Sequence, residues 1–206
     1  MENQSLSAKE AYEQKREEKF KERGDVDGGS SWKRRALWII VAIAVIAGIG
    51  WWIIGLSPKG SDYSVSFADL GREHIPTDSP RPAYNSNPPT SGPHFAEWAY
   101  EMFYDKEIPD GHLVHNLEHG DIWISFKPTV PVEVKKALES YAGGKVVVTM
   151  RSQNDTDIAL AAWTRLDAFN LENGTLNEER IEDFIKRYQN RGPEKMMGVS
   201  VDGKKF

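Results

Sequence analysis

The chain has 206 residues, a formal charge of -5 and no cysteine. That length accommodates one domain of ordinary size plus a further segment. The acidic balance argues against a nucleic-acid partner, because phosphate binding needs a clustered excess of Lys and Arg, and the missing thiols exclude disulfides, thiolate metal sites and a cysteine nucleophile.

Residues 1–35 are mostly polar, with Lys and Glu interspersed. Ser7 and Glu10 have capping-box spacing, while Glu13 to Arg16 and Glu18 to Glu22 mix attractive and repulsive helical pairs. Without an apolar stripe this reads as a solvated, partly helical cytoplasmic tail, with a partner-binding helix as the alternative. Gly24 to Ser31 reads as a flexible joint. Residues 36–56, ALWIIVAIAVIAGIGWWIIGL, are 21 in a row without a charge. At about 1.5 Å per residue they span a hydrocarbon core of roughly 30 Å. A core helix rarely runs this long without a polar face, and a cleaved signal peptide has a shorter apolar region nearer the terminus. The stretch therefore reads as an uncleaved anchor in the lipid bilayer. Lys33, Arg34 and Arg35 precede it and Lys59 alone closely follows, so the N-terminus is expected in the cytoplasm and the C-terminal domain outside the cell membrane.

Residues 57–195 are expected to form that extracytoplasmic domain. Ser64 to Phe67 reads as a short strand. The Pro-rich run from Arg81 to His94 reads as an ordered loop packed on the domain, because its prolines fix φ and it leads into Phe95, Trp98 and Tyr100. Asp121 to Phe126 alternates as a strand. Pro131 opens an amphipathic helix carrying Val134, Ala137, Leu138 and Tyr141, closed by Gly143 and Gly144. Lys145–Met150 and Ile158–Trp163 read as two more strands, the first buried on both faces. Strand, helical crossover and strand make a βαβ unit, expected to be parallel and right-handed. Asn177 caps a last helix with Ile181, Phe184, Ile185 and Tyr188 on one face, and Arg191-Gly192-Pro193 stops it. Beyond it Glu194 to Phe206 is polar and expected to be poorly ordered, with 196–206 a flexible tail. The fold class is α/β, with mixed α+β as the alternative.

The chemistry concentrates in Gly111-His-Leu-Val-His-Asn-Leu-Glu-His-Gly120, which holds three of the five histidines. His115, Glu118 and His119 form His-x-x-Glu-His, the inverted zinc-protease pattern. On a helix both imidazoles share one face and Glu118 can act as a base; on a strand His115 and His119 still share a face and Glu118 turns away. The stretch is short and Asn116 is a weak helix former, so neither conformation is settled by pattern alone. A third metal ligand must come from elsewhere, and His94 at the end of the Pro-rich loop is the nearest candidate. His74 and His112 are assigned to ordinary hydrogen bonding. Ser91 and His94 lack an orienting acid and the nucleophile elbow is absent. Asn154-Asp-Thr156 and Asn173-Gly-Thr175 match the glycosylation acceptor pattern. Met102, Met150, Met196 and Met197 read as gap-fillers or exposed residues rather than soft ligands.

Pro88-Pro-Thr-Ser-Gly-Pro-His94 and Val114-His-Asn-Leu-Glu-His-Gly120 resemble the signature of a bacterial membrane-protein family catalogued as domain of unknown function 3105. Ile158-Ala-Leu-Ala-Ala-Trp163, Phe184-Ile-Lys-Arg-Tyr188 and Arg191-Gly-Pro193 extend the resemblance over about residues 60–195. It implies a single-span anchor, an extracytoplasmic domain and a site of His94, His115, Glu118 and His119, but no established activity. The combined expectation is a membrane-anchored domain holding a copper or zinc ion through His94, His115 and His119, with Glu118 as a fourth ligand or hydrogen-bonded behind one. The alternatives are a metal-free module that recruits an envelope protein partner and a small metal-dependent hydrolase using Glu118.

Overall fold

A computed structural model describes residues 8–26, 30–56, 58 and 60–194, and the chain falls into two units, one ending at Leu56 and one beginning at Ser57.

In the first unit, helix α1 (Ala8–Val26) is built from good helix formers and exposes every side chain from Lys9 to Lys21, Tyr12 and Phe20 included. Helical backbone therefore continues into the segment expected as a joint, of which residues 27–29 lie outside the described residues. Helix α2 (Ser30–Leu56) contains Trp32–Gly55, whose mean hydropathy reaches 2.5 with nothing buried; it is long and apolar enough to cross a membrane. It begins before the basic run Lys33–Arg35, so those charges sit on its first turns.

The second unit is mixed α+β, centred on a six-stranded sheet in the order β1-β8-β7-β5-β6-β4. These strands are β1 (Val65–Ser66), β4 (Phe103–Tyr104), β5 (Ile122–Phe126), β6 (Val146–Met150), β7 (Ile158–Ala162) and β8 (Arg165–Phe169), while β2 (His74–Ile75) and β3 (His94–Phe95) form a small parallel pair of their own. The expected βαβ unit is present: β5 and β6 run parallel, Ile122 opposite Val146 and Phe126 opposite Met150, joined through helix α4 (Val132–Glu139). β7 and β8 then return antiparallel as a hairpin beside β5.

Strand alternation distributes β5 between two cores. Ile122, Ile124 and Phe126 pack with Leu138 of α4 and with Ile181 and Phe184 of α5 (Glu178–Tyr188). Trp123 packs on the opposite face with Leu113 and Leu117 of α3 (Asp110–Glu118). With both faces covered, all five residues of β5 are buried. Helix α5 starts as its sequence requires, the Asn177 side chain accepting the Arg180 backbone N–H at 3.0 Å.

Candidate metal centre

The His-rich stretch is helical. At nine residues α3 is too short to persist on its own, but its C-terminal end is capped and its residues from Gly111 to Glu118 are all buried. Pro109 precedes it at φ -56°, and Asp110 places a carboxylate at its positive end. At the other end Gly120 adopts φ +82°, its N–H donating to Leu117 O at 3.0 Å while Asp121 N–H donates to Asn116 O at 3.0 Å, the paired bonds of a Schellman cap. Asn116, a poor helix former, is used for its side chain: Oδ1 accepts Ala99 N–H and Nδ2 donates to Ala99 O and to Asp121, each at 2.9 Å. The amide thus stitches the preceding loop to the helix.

On a helix His115, Glu118 and His119 lie at i, i+3 and i+4 and share a face. The Pro-rich loop runs over that face and is ordered, with Thr90, Ser91 and His94 all fully buried. It leads into β3, where His94 stands opposite His74 in the parallel pair. The three rings of His74, His94 and His115 then meet with centroids 4.9 to 5.0 Å apart. One ligand atom from each of them and one from Glu118 all lie within 4.8 Å of one another.

Hydrogen bonds to backbone fix how the rings present themselves. His94 Nδ1–H donates to Gly92 O at 2.8 Å and His115 Nδ1–H donates to Phe95 O at 2.6 Å, so each Nε2 carries its lone pair toward the cluster. His94 Nε2 stands 3.0 Å from Glu118 Oε2, and His74 Nε2 is 3.8 Å from the same oxygen. Arg72 Nε lies 3.8 Å from the other carboxylate oxygen. A lone-pair nitrogen facing a carboxylate oxygen at that distance calls for a cation, either a proton on the imidazole or a metal ion drawing both donors in.

The cluster is closed on most sides. His94 is fully buried, His115 and Glu118 are 3% exposed, and the side chain of His74 is 48% exposed, so solvent reaches the group past His74. Burial pushes the His115 imidazole down to about 4, against the favourable pull of the Phe95 carbonyl; the neighbouring His119, His94 and His74 add to the depression. Burial also lowers His119, opposed by Glu194, Asp121 and Glu118. Both shifts favour the neutral imidazole that coordination requires.

Of the residues expected from sequence, His94, His115 and Glu118 converge directly. His119 stands at the rim, its Nε2 3.1 Å from His115 Nε2 and 3.8 Å from Glu194 Oε2. Trp98 packs against both imidazoles, with centroids 5.3 Å from His115 and 5.1 Å from His119. His112 lies apart from this group: its Nδ1–H donates to Glu97 O at 2.6 Å and its ring packs on Phe95. Ser91 Oγ serves the loop, accepting Leu70 N–H at 3.1 Å. Met102 and Met150 fill edges of the two cores, and Met196 and Met197 lie outside the described residues. His74, expected from sequence to make only ordinary hydrogen bonds, instead joins the group. Neither motif contains it, and only the register of β2 against β3 brings it in.

Three imidazole nitrogens and one carboxylate oxygen make a borderline donor set that suits Zn²⁺ or Cu²⁺. Residues 76–200 match a protein family described as a protein of unknown function, DUF3105. No curated protein and no solved structure matches the chain.

Proposed function

From the premise that the chain belongs to this family of unknown function, DUF3105, we propose that it is a membrane-anchored extracytoplasmic protein binding a divalent transition metal, Zn²⁺ or Cu²⁺, through His74, His94, His115 and Glu118. The observation carrying this reading is the contact of His94 Nε2 with Glu118 Oε2 at 3.0 Å while Nδ1 is held by the Gly92 carbonyl. His115 has the same arrangement, one nitrogen on a backbone carbonyl and the other on the cluster, the usual support for a metal-ligating imidazole. Glu118 is here a ligand. A hydrolytic base needs an open position before it, and this carboxylate is buried and already faces His94, His74 and Arg72. The anchor is α2, with its basic residues toward the cytoplasm.

The test is metal content of the full chain, purified in detergent, stripped with chelator and reconstituted. The wild type should retain Zn²⁺ or Cu²⁺ through dialysis, and His94→Ala combined with His115→Ala should retain none. Equal retention by both, or by neither, overturns the reading.

A metal-free interaction module draws support from the same kind of carbonyl bond, since those from His112 to Glu97 O and from His115 to Phe95 O latch the end of the loop onto α3. In that case the contact of His94 with Glu118 only holds the loop, and His94→Ala lowers the melting temperature by the same amount with and without chelator. Under the metal reading the loss is larger when metal is present.

A further inference from the structure

The segment Arg191-Gly192-Pro193, one of the shared motifs, does more than stop α5. It folds back onto the C-terminal end of α3: Asn190 N–H donates to Gly120 O at 2.7 Å and Glu194 N–H donates to Glu118 O at 3.0 Å. Gly192 makes this approach feasible, because a Cβ there would overlap Glu118 O and Gly120 N, both backbone atoms. Glu194, expected to begin an unstructured tail, is thereby held at the site, with its carboxylate facing His119.

We propose that Glu118, His119 and Glu194 form a second divalent-cation position, with Glu118 bridging it to the position held by His74, His94 and His115. One ligand atom from each of the three lies within 4.8 Å of the others. Donors on one ion at zinc-like bond lengths stand roughly 3.3 to 3.6 Å apart, so closure takes side-chain rotation of about an ångström and no backbone change. His119 is 9% exposed and Glu118 3%, which leaves Glu194, at 49%, as the member reached from solvent. Four imidazoles and two carboxylates supply two negative charges, and a carboxylate shared between ions is how two-metal sites hold them about 3.5 to 4 Å apart. His115 and His119, whose Nε2 atoms are 3.1 Å apart, divide between the two ions.

This rests on the metal reading above, and the two fail differently. The full chain in detergent, stripped of metal, is titrated with Zn²⁺ and bound zinc is counted after dialysis. Wild type should bind two ions per chain and Glu194→Gln one, while Glu194→Asp keeps two with the second at least tenfold weaker. Melting of the metal-free variants at the wild-type temperature shows that they fold. With Cu²⁺ loaded to saturation, wild type should give the half-field resonance of a coupled ion pair and Glu194→Gln should not. One ion in wild type, whether or not Glu194→Gln weakens it, overturns the second position and leaves the proposed function standing. No bound ion in wild type removes both.

Discussion

Burial of the His115 ring makes the stability of the domain depend on pH. The folded-state pKa of His115, about 4, lies below the ordinary value of 6.5 because the ring is desolvated. Between those values the unfolded chain binds the extra proton, so stability rises with pH across that window. The contribution is complete above pH 6.5 and is lost as pH falls through 4. We expect the chelated protein to lose on the order of 3 kcal/mol over this range. Urea midpoints at pH 7, 5.5 and 4.5 measure it, and His115→Gln should flatten the dependence; a midpoint in wild type that does not move would contradict the assignment. On the proposed metal reading, acid should release the ion through the same group, since coordination needs the neutral ring.

Among the elements, α3 is the one whose placement decides the site, and Gly111 decides how closely it lies on the loop. A Cβ there would come 2.6 Å from the Phe95 ring, which is itself buried. An alanine in a helix is ordinarily worth up to about 1 kcal/mol over glycine. Here Gly111→Ala should instead destabilise by about 1 to 3 kcal/mol, because a packed ring must move. It should also weaken metal retention, since the Phe95 carbonyl orients His115. Thermal melting and zinc dialysis on one preparation check both.

The elements that periodicity could read are those with a full stripe or a buried run: β5, α4, β6, β7 and α5. β8 escaped because Asp167 breaks its apolar pattern; that carboxylate is 2% exposed and paired with Arg180 from α5, a partner invisible along the chain. Its hairpin also lacks the usual turn residues, Trp163 and Thr164 linking β7 to β8 with Thr164 at φ 60° where Gly or Asn is the rule. β2, β3 and β4 are two residues each, too short for any period. The site followed the same division: His94, His115, Glu118 and His119 stood in motifs, whereas His74 and Glu194 arrive by tertiary pairing. The helical state of α3 was undecided because its stabilising groups, Gly120 in a Schellman cap and the Asn116 amide on Ala99, act through backbone geometry and a distant loop.

For the whole molecule, the first unit contains a helix long and apolar enough to cross a membrane and the second contains the His and Glu cluster. The cysteine-free chain gives a direct test of their sidedness. Lys136→Cys on the exposed surface of α4 should react with a membrane-impermeant maleimide on intact cells, and Lys15→Cys on α1 only after lysis. The reverse pattern would invert the orientation. The start of the second unit is also pinned to α5, Gly60 bonding Asp183 and Asp62 accepting the Tyr188 hydroxyl. A fragment from residue 57 should therefore melt higher than one from residue 65, as circular dichroism can determine.

The two-residue pairing of His74 with His94 has a consequence for a domain that cannot make disulfides. A metal ion gripping both, together with His115 and Glu118, is a reversible cross-link across 20 residues of loop and onto a helix. Closing a loop of that size removes about 3 kcal/mol of chain entropy from the unfolded state. On the proposed metal reading, metal supply would govern how long the loop survives proteolysis, much as an oxidising compartment does for cysteine-stapled domains.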